Sequence, residues 1–236
     1  MLRHASSRVV RVGVLAASLT ALGAVSGCNN AVVVQLMSGP QTFEVSASSV
    51  DIPVELQAGA MIASVPCPTG MCPSTETLPV SCVAGVCDPD PRTVSAPVGD
   101  VVDFDVLLRG ASEVLRFVDA IEVTRVQYQA SPNSLTVDVP DIEIFFGPDT
   151  AAGIDAPGVH RLGVIPALPA GTARDGDMQI DADGSAALSD HVLNVSRRVR
   201  FFARTQIDLA PGGPVPGGGA SITVNLTVRA IGRILE

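Results

Sequence analysis

The chain has no lysine and no tryptophan, a single tyrosine (Tyr128) and three histidines among 236 residues. Each scarcity removes a class of function. Without lysine there is no Schiff-base chemistry and no Ser–Lys dyad. All 15 basic residues are Arg, set against 24 Asp and Glu. That balance leaves no basic footprint for nucleic acid, which is excluded as a partner. The flat Trp and Tyr faces that sugar-binding surfaces present are missing, which disfavours a carbohydrate module. There is no G-x-S-x-G and no H-E-x-x-H. Ser189-Asp190-His191 holds triad residue types, but neighbours on a helix do not face one another. His160 and His191 are expected as separate surface or rim residues. No catalytic residue is assigned, and the chain does not read as an enzyme.

The N-terminus is more informative. Arg3, Arg8 and Arg11 are followed by an apolar run over 12–25, with no acidic residue before Cys28. A basic stretch followed by an apolar one is the pattern of an export signal. The run is too short for the roughly 20 residues of a membrane-spanning helix. Val25-Ser26-Gly27-Cys28 resembles the lipobox of bacterial lipoproteins, a resemblance confined to the leader and cleavage site. It implies a signal peptide over 1–27 and a Cys28 thiol alkylated with diacylglycerol. It also implies cleavage before Cys28 and acylation of the new amine, often with palmitate. Two or three acyl chains make a stable anchor, where one is marginal. Asn29 is not the Asp that commonly retains such proteins in the inner membrane. The resemblance therefore implies the bacterial outer membrane, facing the periplasm or the cell surface. Past the leader, 12 Arg oppose the 24 acidic residues. Anionic head groups repel such a body, so the acyl anchor must hold it.

Removing Cys28 to its lipid leaves four cysteines. They sit in a repeat, VPCPTGMC at 65–72 and VSCVAGVC at 80–87, both V-x-C-x-x-G-x-C. Outside the cytoplasm such cysteines form disulfides. Each half reads as a tight turn with Gly70 or Gly85 at positive φ. That favours the local pairs Cys67–Cys72 and Cys82–Cys87 over the nested pairs Cys67–Cys87 and Cys72–Cys82. Zinc ribbons space paired ligands more tightly, so no metal is assigned to this group. The segment 61–93 is read as a Cys-rich insert between strands, a candidate contact loop.

The rest of 28–236 alternates like half-buried strands of one domain. Strands are predicted over 31–37, 42–48, 50–57, 101–109, 121–130, 135–139, 141–146, 159–165, 177–181, 197–208 and 220–230. Helices are predicted over 111–120 and 185–194. The glycine- and proline-rich run at 211–219 is expected to be a hairpin loop joining 197–208 to 220–230. The fold class is mainly β, an antiparallel sandwich of immunoglobulin-like architecture with one or two short helices. Asp175, Asp177, Asp181 and Asp183 cluster in DGDMQIDADG and are weak calcium candidates, with two Asp-Gly turns as the plainer reading. Arg198, Arg200 and Arg204 are expected to neutralise carboxylates on a neighbouring strand. The expected function is a structural or protein-interaction role in the cell envelope, with an envelope protein as partner. The alternative is a carrier of an apolar ligand, which requires a cavity between the sheets.

Overall fold

The computed structural model describes residues 31–46, 61–72, 79–112 and 115–234. The strands are β1 (Ala31–Met37), β2 (Gln41–Ser46), β3 (Val65–Pro66), β4 (Val80–Val83), β5 (Val86–Pro89), β6 (Arg92–Asp103), β7 (Leu115–Asn133), β8 (Ile142–Pro148), β9 (His160–Ile165), β10 (Arg174–Asp177), β11 (Gln179–Ile180), β12 (Arg198–Ile207) and β13 (Gly219–Ile234). The helices are α1 (Phe104–Ser112) and α2 (Ala182–Asp190), and α2 runs into a π-helical turn at His191–Val195.

Period-2 alternation places one row of each strand inward. The first sheet has the order β1-β13-β7-β10, with β2 beside β1 on the same edge of β13. The second has the order β11-β9-β8-β12-β6. Every pairing is antiparallel. Val34, Phe43, Val126, Ile222 and Val228 of the first sheet share one core with Val98, Ile144, Phe146, Leu162 and Phe201 of the second. The chain is thus mainly β, antiparallel and sandwich-like. A third sheet, β3-β5-β4, is built from the Cys-rich segment.

The strand predicted over 101–109 stops at Asp103, where α1 begins. Asp103 Oδ1 accepts the Asp105 and Val106 backbone N–H groups at 2.9 and 3.4 Å and caps the helix. Phe104 and Leu108, both buried, share a face at either period. Val106 separates the two readings: a strand would bury it, and it is 59% exposed. The helix predicted over 111–120 is replaced from Leu115 onward by β7. Of 135–139, Val139 alone forms a bridge, with Leu168. The segment 50–57 lies outside the described residues. The 211–219 run belongs to a crossover from β12 in one sheet to β13 in the other, so it joins no hairpin. The expected turn at Asp183-Gly184 is the first turn of α2.

The sandwich has two distinct poles. β6 and β12 pair from Arg92↔Ile207 at one end to Asp103↔Arg198 at the other. The crossover and the Cys-rich sheet attach at the Arg92 end. At the Asp103 end sit α1, which packs on β1 and β7, and the π-helical turn. β13 runs between the poles, from Gly219 to Ile234, a strand about 50 Å long. β1 begins at its far end, with Ala31 opposite Arg233.

α2 closes one edge of the first sheet. The Ser189 and Ser185 hydroxyls accept the Ile121 and Val123 backbone N–H groups at 3.1 and 3.3 Å. Four helical residues rise about 6 Å. Two strand residues advance about 6.6 Å. The serine spacing therefore matches the N–H groups on one edge of β7. Beyond them, the Met178 N–H reaches the Val126 carbonyl, and β10 pairs with Gln127–Ala130.

Candidate functional site

The repeat 65–87 builds a small sheet with two unlike faces. Val83 and Val86 close a two-residue hairpin whose Ala84 and Gly85 have φ of 49° and 83°. Positive φ at both positions is the type I′ geometry that suits the twist of paired strands. β3 lies along the other edge of β5. The register sets Val65, Cys87 and Cys82 in one row and Pro66, Val86 and Val83 in the next, on the opposite face. The first row carries sulfur. The second is an apolar row across three strands, with Val83 52% exposed.

The disulfides are Cys67–Cys82 and Cys72–Cys87, each spanning 15 residues. This is neither the local nor the nested pairing expected. Each cysteine joins the equivalent position of the other repeat. The reason lies in β3: laid along β5, it carries the first motif across the hairpin face instead of leaving it as a separate unit. The Cys67 N–H donates to the Gly85 carbonyl and the Gly70 N–H to the Cys67 carbonyl, both at 2.9 Å. Gly70, at φ 75°, turns the chain there as the sequence suggested. In the chain-entropy account, closing a loop of this length stabilises by about 3 kcal/mol. The Sγ atoms of Cys67, Cys72 and Cys82 lie within 4.8 Å of one another. In the disulfide form they offer no thiolate to a metal.

The sheet is fixed to the body at both ends. Ile62 packs with Val94, Ile207, Leu209 and Val215. Its N–H donates to the Gly213 carbonyl, and its own carbonyl accepts from Gly212, both at 2.8 Å. β5 leads within three residues into β6. Met61 and Met71, 65% and 75% exposed, flank the module. The sequence offered this segment as a candidate contact loop. The apolar row emerges only once register decides which alternate residues of 80–89 face outward.

The four aspartates do not converge. Asp177 receives two hydrogen bonds from Arg125, at 2.7 and 3.1 Å, which hold its carboxyl below the usual range. Asp181 accepts from Arg161 at 2.7 Å. Asp175 lies on β10 opposite Gln129, and Asp183 is exposed in the first turn of α2. Strand and helix geometry sends their oxygens to separate partners, so the calcium cluster is not formed. Among the described residues, the metal-ligating atoms that gather within reach of one ion are the cysteine sulfurs. Of the β12 arginines, Arg204 pairs with Glu143 on the adjacent β8 as expected; Arg198 pairs with Asp149, just past the end of β8, and the Arg200 Nε is buried without a hydrogen-bond partner.

His191 is not a surface residue; it is 5% exposed, and its Nε2 has no hydrogen-bond partner. It packs edge-on against Phe146, whose other neighbour is the exposed His160, at ring-centroid distances of 6.1 and 5.7 Å. The two histidines flank one phenyl ring, and the cleft that His160 lines does not reach His191. Burial pushes the His191 imidazole below its ordinary value, with the charge of His160 assisting and Asp190 opposing. The triad types diverge. Ser189 accepts from Ile121, Asp190 accepts from the Asn194 amide, and His191 turns inward. An open cleft of about 490 Å³ is lined by His160, Arg161, Asp181 and Asp183, and no Ser or Thr lines it. The cavity between the sheets is about 30 Å³, bordered by Val98, Val126, Ile144, Phe201 and Leu226.

No family model and no curated protein matches the chain. Among solved structures, one from Desmodium yellow mottle tymovirus is 8% identical with a TM-score of 0.28, covering 100% of this chain and 96% of that one. A Penaeus vannamei nodavirus structure is 11% identical with a TM-score of 0.25, covering 99% of this chain and 64% of that one. Neither likeness is close enough to assign a family.

Proposed function

We propose that this chain is an outer-membrane lipoprotein with a structural or protein-interaction role, held by acyl chains on Cys28 and facing the periplasm or the cell surface. Its contact site is the disulfide-linked sheet. The observation that carries this reading is the Pro66–Val86–Val83 row, an apolar surface on a covalently braced sheet. A rigid, partly exposed apolar row suits a protein partner, because little conformational freedom is lost on contact. Cys28 lies outside the described residues, and the anchor rests on the lipobox resemblance.

The carrier reading is the weaker one. Ligand pockets enclose roughly 300–1,000 Å³. The inter-sheet cavity, at about 30 Å³, has room for little more than a water molecule. The divergence of Ser189, Asp190 and His191 favours a non-enzymatic role.

The anchor is tested by labelling with palmitate in a bacterial host. Cys28→Ala is expected to abolish the label and leave the leader attached. Persistent label in that variant rejects the lipoprotein reading. The contact site is tested with a photo-cross-linker at Val83 in intact membranes, which should trap an envelope protein that the same group at Gln129 does not.

A further inference from the structure

The Asp103 pole of the sandwich carries an apolar feature that the proposed contact site does not use. Val106 and Val195 are 59% and 67% exposed. The Phe104 N–H donates to the Arg197 carbonyl at 2.8 Å. Each valine stands two residues from that bond, one on α1 and one at the end of the π-helical turn. Beside them, Arg197 pairs with Asp105 at 3.0 Å. Two bare valines next to a polar pair form a small amphipathic end.

Resting on the reading that Cys28 is acylated, we propose that this pole is pressed into the phospholipid surface, with Val106 and Val195 in the head-group and upper acyl region. The first argument is covalent. Three peptide steps separate Cys28 from Ala31, so their Cα atoms lie at most about 11 Å apart in any conformation. Ala31 is at the Ile234 end of β13. The acyl anchor therefore tethers that pole, and the disulfide-linked sheet attaches at the other, most of the length of β13 away.

The second argument chooses between standing on the pole and lying flat. The outer face of the first sheet carries the pairs Arg229–Glu122, Arg233–Asp119 and Arg125–Asp177. Val33 and Met37 are exposed on that face, but in a field of these charges. Pressing the ion pairs into lipid removes water from six charged groups without new partners. Pressing the pole in buries Val106 and Val195 and leaves the Arg197–Asp105 pair level with the head groups, where charge is tolerated.

The absence of tryptophan supplies the test. Val106→Trp, Val195→Trp, Gln35→Trp on the outer face and Val83→Trp on the disulfide-linked sheet each create a sole tryptophan at an exposed site. The acylated proteins are reconstituted in phosphatidylcholine–phosphatidylglycerol vesicles containing shallowly brominated lipid. At an interfacial depth of about 5–10 Å, positions 106 and 195 should be quenched roughly twofold. Positions 35 and 83 should not be quenched. Quenching at 35 without 106 and 195 overturns the proposal in favour of a flat body. Acylated Cys28 with no quenching at 106 or 195 overturns it in favour of a body standing clear of the membrane. Mass analysis of the N-terminal peptide separates these results from failure of the anchor. A Cys28 without acyl chains overturns the lipoprotein reading, and the proposal with it.

Discussion

Gly184→Ala sets two effects of opposite sign against each other. Alanine is ordinarily the better helix residue, by about 1 kcal/mol in an exposed interior. Gly184 is buried in the first turn of α2, where the helix meets the backbone of β9. A Cβ there would stand 2.3 Å from the Arg161 carbonyl oxygen and 2.9 Å from Leu162 Cα. Ordinary contact begins at 3.4 Å, so helix and strand must separate by about 1 Å. Neither atom belongs to a flexible side chain. β9 is held by β8 on one side and β11 on the other, and the Leu162 carbonyl already accepts the Asp181 N–H at 2.9 Å. Overpacking costs about 1–3 kcal/mol, and a backbone clash with no side chain to give way belongs in the upper part of that range, about 2–3 kcal/mol. Less the propensity gain, Gly184→Ala should lose about 1–2 kcal/mol. In urea that lowers the unfolding midpoint by roughly 0.5–1 M at unchanged slope. Ala186→Gly, at an exposed position of the same helix, measures the propensity term alone. A Gly184→Ala midpoint at or above that of the parent protein would refute the close approach of α2 to β9.

Two further expectations concern chemistry. Non-reducing peptide maps should recover Cys67 with Cys82 and Cys72 with Cys87; recovery of Cys67 with Cys72 contradicts the arrangement of β3 along β5. His191 predicts an acid-sensitive body: its folded pKa lies below the ordinary 6.5 because burial disfavours the charged form. The unfolded chain therefore binds the proton first. Stability should be full above about pH 6.5 and decline as pH falls from there toward the lowered folded value. His191→Phe should flatten that decline, and an unchanged pH profile in the variant would show that His191 is not its source.

Long alternating runs were legible in the sequence. The runs at 31–37, 220–230 and 197–208 became β1, β13 and β12, because one sheet face buries every second residue and the other meets solvent. Legibility failed where two periods agree. Phe104 and Leu108 fit a strand and a helix alike, and the Asp103 cap settled the matter. Side-by-side placement was hidden as well. Nothing within VPCPTGMC says that it will lie against VSCVAGVC, so the disulfide partners and the apolar row appear only with tertiary register. His191 was misplaced because a lone histidine on a polar helix resembles a solvent residue. Its burial follows from its place seven residues after Gly184 and three after Leu188, on the face of α2 that packs inward, against Phe146. The four aspartates look clustered in one dimension and are dispersed by a strand and a helix in three.

The serines of α2 bear on how copies of this chain coexist. Molecules confined to a membrane plane, as proposed here, meet far more often than the same number free in solution. Their strands also share an orientation relative to that plane. Two like-oriented sheets need only a vacant run of amide hydrogens to join laterally, and each junction presents the next. Ser185 and Ser189 occupy the vacant stretch of β7 with hydroxyls, and β10 occupies the stretch beyond it. A lateral array growing through that side would first have to lift a helix from its own sheet.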